Sequence, residues 1–179
     1  MRKSVAKYQD LIADEDALPA TTGRAWVFAD NVRQSQILAD EALAQPSEVA
    51  KAFAMATLDP RFAPTVQAGD FIVAGLEFAA DATHRTVAAA LRALGVGAVI
   101  ARSFGRFFLH NAIHIGLPPL VVEETGAIRG GDHLRVDIEA HIVANLSSGD
   151  RYVIRNIDDE ALVILRKRMK DLGPVTSDQ

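Results

Sequence analysis

The residues best equipped for chemistry are gathered in Glu77-Phe-Ala-Ala-Asp-Ala-Thr-His-Arg85, a polar stretch between an apolar strand pattern and a helical one. The first amides of a helix have no partner inside it and carry the positive end of the aligned backbone dipoles. With Thr83 as candidate cap and His84 and Arg85 beside it, such an end suits a carboxylate or a phosphate. The plain alternative is that Asp81 or Thr83 caps the helix while His84 and Arg85 stand in water. Other constellations offer less. Gly95-Val-Gly97 follows a helix and precedes a strand, the reverse of what a pyrophosphate cradle needs. His110 and His114 share a helix face, but no acidic residue lies between them and the pattern supplies no third metal ligand. His133 and His141 fall in an alternating segment where exposed strand positions explain them, and no serine sits in a nucleophile elbow.

The elements that must hold this stretch are legible on both sides of it. Phe71-Ile-Val-Ala74, preceded by Asp70, is a short buried strand. Val87, Leu91 and Leu94 recur at spacings of four and three, which predicts a helix closed by Gly95-Val-Gly97. Ala98-Val-Ile-Ala101 is a second buried strand. Residues 103–115 form a second helix with Phe104, Phe107, Phe108 and Ile115 mostly toward one side, and Gly116 and Pro118-Pro119 end it before a third strand, Leu120-Val-Val122. Upstream, Gly23 to Phe28 reads as an aromatic-rich strand, residues 29–38 as a loop or tight turn, and Pro46 to Met55 as a helix capped by Ser47 and stopped by Asp59-Pro60 and Pro64. Downstream, Leu134, Val136 and Ile138 alternate with Arg135, Asp137 and Glu139, as an antiparallel strand does, and Ser147 to Asp150 turns between two further strands. A last helix opens at Asp158-Asp-Glu160, places Leu162, Leu165, Met169 and Leu172 on one face and ends at Gly173-Pro174. Short continuous apolar strands separated by helices favour parallel pairing with both faces covered. The expected fold is therefore α/β, a mixed sheet with a βαβαβ core plus antiparallel strands, in a single globular domain over residues 23–179 behind a leader over 1–22.

Composition excludes several classes of function. A chain of 179 residues builds one domain with a proper core, and 49% hydrophobic against 23% charged residues is the makeup of a globular protein. Lys+Arg 19 against Asp+Glu 23 leaves no basic field for a phosphate backbone, so nucleic acid is not an expected partner. The chain has no cysteine, which removes disulfides, thiolate nucleophiles, Cys-ligated zinc and iron–sulfur ligation together. No apolar h-region precedes Asp10 and the Asp14-Glu15-Asp16 run, and the apolar runs are far below a membrane span. A cytoplasmic location with no membrane contact is the default expectation.

Several ordered pieces of the sequence resemble a known family. They are Gly23-Arg-Ala-Trp-Val-Phe-Ala-Asp-Asn-Val32, Phe71-Ile-Val-Ala-Gly75 with Phe78, Ala90-Leu-Arg-Ala-Leu-Gly95, Ala98-Val-Ile-Ala101, Ser103-Phe104 with Arg106, Asn111-Ala-Ile113 and Ile115-Gly-Leu-Pro118. Their order and spacing are similar to the small subunit of 3-isopropylmalate dehydratase, the isopropylmalate isomerase of leucine biosynthesis, which is an aconitase swivel domain. The resemblance runs from about residue 23 to about residue 172.

It implies a swivelling β/β/α domain that caps a cysteine-bearing large dehydratase subunit carrying a 4Fe–4S cluster. Together the two would dehydrate and rehydrate a small hydroxy-carboxylate substrate. In such enzymes the small subunit supplies a serine base and an arginine for a substrate carboxylate. Here the family's G-C-G-S-S-R-E-H is replaced by Ala79-Ala-Asp-Ala-Thr-His-Arg-Thr86. Ala82 stands at the serine base, Thr83 keeps a hydroxyl at the second serine, His84 replaces the arginine and Arg85 sits one position late. The family's D-T-D has become Arg33-Gln-Ser35. No catalytic residue carries over, and two expectations follow. In one, Thr83, His84, Arg85, Arg33 and Ser35 form a rebuilt substrate site of a hydro-lyase, with Thr83 and His84 the candidates for catalysis. In the other, the chain is a catalytically degenerate swivel-domain subunit with a structural or regulatory role.

Overall fold

The computed structural model of the protein describes residues 15–173, so the leader up to Asp14 and Pro174 lie outside it. Seven strands, β1 (Thr21–Val27), β2 (Phe71–Val73), β3 (Ala98–Ala101), β4 (Pro119–Val121), β5 (His133–Asp137), β6 (Ile142–Asn145) and β7 (Arg151–Val153), share one sheet. Their order is β4-β3-β2-β1-β5-β6-β7. The first four run parallel, in the register Ala25↔Phe71, Ile72↔Val99 and Ile100↔Leu120, and the last three join antiparallel. One strand serves both halves: β1 is parallel to β2 through residues 25–27 and antiparallel to β5 through residues 21–24. This is the expected mixed sheet with a βαβαβ core.

Successive side chains of a strand point to opposite faces, so a strand buried on both faces must be apolar throughout. Ile72 and Val99 face one core with Phe62, Val87, Leu91 and Phe108, while Phe71, Val73, Ile100 and Leu120 face a second core with Leu134, Val136, Val143 and Leu165. Helices α5 (Arg85–Ala93) and α6 (Arg106–His114) cover the first face, and α7 (Asp159–Leu172) closes the second. The sheet curls until its two ends meet. Val121 N donates to Asn156 Oδ1 at 2.8 Å, Asn156 Nδ2 donates to the Pro119 carbonyl at 2.8 Å, and Arg155 N donates to the Val121 carbonyl at 2.9 Å. The Asn156 carboxamide thus stands in for a strand along the edge of β4, satisfying groups that an open edge would expose. Among the described residues no helix is long and apolar enough to cross a membrane.

Between β1 and β2 lie four single-turn helices, α1 (Gln34–Ile37), α2 (Asp40–Leu43), α3 (Ser47–Ala50) and α4 (Phe62–Thr65). Residues 29–38 are therefore not only loop. The helix expected over Pro46 to Met55 tightens after Ala50 into a 3₁₀ turn at Lys51–Phe53, and Pro46 occupies its cap position while Ser47 is already helical. Pro64 does not stop a helix but sits in the single turn of α4, where a missing N–H loses little. The second long helix starts at Arg106, because residues 103–105 pair with the loop after β2 instead, and Phe107 points outward at 50% exposure. On α7, Asp158 caps the start through Ala161 N at 2.8 Å and Leu165 is buried, but Leu172 is 58% exposed.

Glu139 ties α7 and the incoming chain to the antiparallel half. Arg166 Nε and Nη2 donate to its two oxygens at 2.9 and 2.7 Å, and Leu18 N donates to Oε1 at 2.8 Å. The Arg166 fork, ahead of the opposing effect of burial, holds this carboxyl below its ordinary value of 4.5. A carboxylate lowered by folding stabilises the native state in full above its unfolded pKa, and the contribution fades as pH falls through the lowered value. Arg166→Met is expected to lower stability by about 1–2 kcal/mol at pH 7. Urea denaturation repeated at stepwise lower pH should show the gap between wild type and variant narrowing below pH 4.5; a gap that widens on acidification would contradict the assignment.

Candidate functional site

The loops that leave the carboxyl ends of β1, β2 and β3 meet at one corner, the place where open α/β sheets present their ligand crevices. Their backbones are stitched together. Asn31 N donates to the Leu76 carbonyl, Leu76 N to Asp30 Oδ1 and Ala79 N to the Val32 carbonyl, at 2.8, 2.7 and 2.8 Å. Phe78 N donates to the Ser103 carbonyl at 3.0 Å, and Gly105 N donates to the Phe78 carbonyl at 2.9 Å. Ser103 Oγ accepts from Glu77 N at 2.7 Å and donates to Glu77 Oε1 at 3.2 Å. A cleft of about 480 Å³ opens beside these strand ends, flanked by Asp30, Gly75, Arg102, Glu123 and Glu124. A second hollow of about 390 Å³ is lined by Asn31, Arg33, Glu77 and Asp81. Ala79, fully buried, holds φ at +55°, a left-handed conformation that disfavours any side chain and is tolerated where neighbouring contacts over-determine the turn.

The helix start differs from the expectation at its cap. His84, not Thr83, is the residue before α5, and neither caps it with a side chain. The amides of Thr83 and His84 donate instead to Gln34 Oε1, at 2.8 and 3.1 Å. Asp81 is a cap, but of another helix: its Oδ1 accepts from Gln34 N, at 2.8 Å, at the start of α1. The start of α1 is thus capped from the loop before α5, and that loop is held in turn by the first residue of α1. The two altered segments, 33–35 and 79–86, lie against each other through these bonds. Thr83, His84, Arg85, Arg33 and Ser35 are all exposed. Arg33 lines the smaller hollow and its amide donates to Gln36 Oε1 at 2.9 Å. Arg85 is the first residue of α5, and Ser35 follows Gln34 on α1. Thr83 Oγ1 and His84 Nδ1 are 3.2 Å apart. With the hydroxyl donating, the Nδ1 lone pair accepts and the neutral ring carries its proton on Nε2. Ala82 is buried, 4% exposed, and presents no hydroxyl to the corner.

Gln34 escaped the sequence reading although it lies between two residues singled out there, because capping across forty-nine positions leaves no local spacing to detect. Elsewhere, the rings of His110 and His114 lie 4.2 Å apart, tilted by 35°, and His114 Nδ1 donates to the His110 carbonyl at 2.9 Å. The chain has no cysteine to offer an iron–sulfur cluster, and among the described residues no three His, Asp or Glu are grouped to hold a metal ion.

The curled mixed sheet with its loops gathered at one corner is the swivel class of domain, and a family model described as the aconitase C-terminal domain matches residues 30–125, more than half of the chain. Over 147 residues the chain is 40% identical to 3-isopropylmalate dehydratase small subunit 1 of Archaeoglobus fulgidus, covering 81% of this chain and 91% of that protein. It is 38% identical to the 3-isopropylmalate dehydratase small subunit of Aquifex aeolicus, covering 80% and 88%. A crystal structure of 3-isopropylmalate dehydratase from Methanocaldococcus jannaschii superposes with a TM-score of 0.77 at 28% identity, over 86% of this chain and 97% of that one. The chain belongs to the family of 3-isopropylmalate dehydratase small subunits.

Proposed function

We propose that the chain is the small subunit of an aconitase-type hydro-lyase. In this reading its loop corner caps a larger, cysteine-bearing subunit that holds a 4Fe–4S cluster, and the cytoplasmic pair adds or removes water on a small hydroxy-carboxylic acid. The small-subunit names of the relatives support a larger partner. The observation that carries the reading is the meeting of two segments distant in sequence, 33–35 and 79–86, in hydrogen-bond contact at the strand ends. Arg33 and Arg85 supply cations for a substrate carboxylate, and Thr83 and His84 supply a hydroxyl and an imidazole in hydrogen-bond contact that can pass a proton. The buried Ala82 favours a second reading, a subunit that shapes or regulates its partner without contributing to catalysis.

The test is co-expression with a large subunit and an assay of the complex for hydration of isopropylmaleate, citraconate and cis-aconitate. Thr83→Ala, His84→Ala and Arg85→Ala are each expected to lower kcat/KM by about tenfold, the loss of one interaction made in the transition state. Three variants with unchanged kcat/KM would leave the structural reading. Turnover by the isolated chain without iron would overturn both.

A further inference from the structure

The segments that open helices α1 and α5 are bonded to each other. Neither Arg33 nor His84, the residues at their cap positions, offers a capping side chain. Asp81 Oδ1 accepts the Gln34 amide at 2.8 Å, and Gln34 Oε1 accepts the amides of Thr83 and His84 at 2.8 and 3.1 Å. The exchange is reciprocal and joins the two stretches that carry every candidate substrate contact. Without the Gln34 oxygen, the segment between Ala79 and Arg85 is held by the bonds from Ala79 N to the Val32 carbonyl and from Ala82 N to the Ala79 carbonyl at its near end and by the His84 carbonyl, which accepts from Val87 N at 3.3 Å, at its far end; the Thr83 and His84 amides lose their acceptor. Gln34 is half-buried, which limits where its carboxamide can go. The Thr83 and His84 amides are also occupied by a neutral carbonyl, so what this segment offers a carboxylate is its side chains.

We propose that Gln34 is a positioning residue of this corner: its side-chain oxygen fixes where Thr83, His84 and Arg85 stand relative to Arg33. The inference rests on the function proposed above. Gln34→Ala removes the acceptor, whereas Gln34→Glu keeps an oxygen in the same place and rescues the bonds if they, and not packing, are what matters.

The experiment reads two quantities. Amide hydrogen exchange on the full chain should quicken roughly tenfold or more at Thr83 and His84 in Gln34→Ala, with the core strands unchanged, and stay near wild type in Gln34→Glu. In the complex with the large subunit, kcat/KM should fall by about tenfold in the alanine variant and return to within about threefold in the glutamate variant. A loop that does not loosen overturns the inference, as does a loosened loop with unaltered kcat/KM, or a glutamate variant that behaves like alanine in both. A wild-type complex inert toward every acid would sink the proposed function instead, while exchange on the same samples still decides whether Gln34 sets the loop.

Discussion

Asp70→Ala is expected to lower stability by about 3 kcal/mol, because one buried side chain accepts from three N–H groups at once. Asp70 is 4% exposed and stands immediately before β2. Its Oδ1 accepts from Arg24 N at 3.0 Å, and its Oδ2 from Trp26 Nε1 at 3.1 Å and Gln67 N at 2.9 Å. These donors come from the stretch of β1 where pairing passes from β5 to β2 and from the turn that feeds β2. Each donor left dry costs about 1–3 kcal/mol, with the exposed Arg24 and Gln67 able to recover part of that from water. For a domain of this size the loss corresponds to roughly 6–12 °C in Tm. Asp70→Asn should fall between, since an amide NH₂ must face at least one of the same donors. Urea denaturation should show a lower midpoint with an unaltered slope, the mark of lost stability without a change in the denatured state. An alanine variant within 1 kcal/mol of wild type would mean that the junction is held by packing alone.

The parallel half of the fold was open to sequence reading for a physical reason. Strands buried on both faces leave continuous apolar runs, as in Phe71 to Val73 and Ala98 to Ala101, and helices of nine residues or more leave a countable period, as in Val87 and Leu91. The short helices α1 to α4 span four residues each, about one turn, and no period can be counted over one turn. The start of α1 is set in part from outside, where Asp81 reaches it. Phe104, Phe107 and Phe108 stand at the spacing that shares one face of a helix, but Phe104 lies before the helix, which begins at Arg106, and so does not set its phase; Phe108 turns inward and Phe107 faces solvent.

The site shows the same division. The stretch 77–85 stood out because it joins a strand to a helix, and Asp81 stood out as a capping residue type, but local spacing carries no information on which helix a cap serves. Segment 33–35 drew notice through family resemblance alone. What binds the two is a side chain whose partners lie on another loop, and such contacts exist only once β1 and β2 are paired side by side.

Gly105→Ala is expected to lower kcat/KM of the assembled complex by about a hundredfold, the scale of an ångström-sized misplacement of reacting groups. A Cβ at this position would fall on the Ala79 carbonyl oxygen and lie 2.6 Å from the Ala80 Cα. Both are backbone atoms, so no side-chain rotation relieves the clash, and the loop or the start of α6 must move. The loop has little freedom to yield without cost. Ala79 already sits at φ +55°, its amide is committed to Val32 and the Phe78 carbonyl to Gly105 itself. Displacement therefore passes along Ala80 and Asp81 to Thr83, His84 and Arg85, breaking the register of the Gln34 bonds. Stability should drop by only about 1–3 kcal/mol, as for other overpacked sites, leaving most of the chain folded for the assay. Gly130→Ala serves as the control, since nothing lies within 4 Å of a Cβ added there, and it should stay within about 0.5 kcal/mol of wild type. If the Gly105→Ala complex turned over at the wild-type rate while its loop had shifted, residues 79–85 would not be where this subunit meets the substrate.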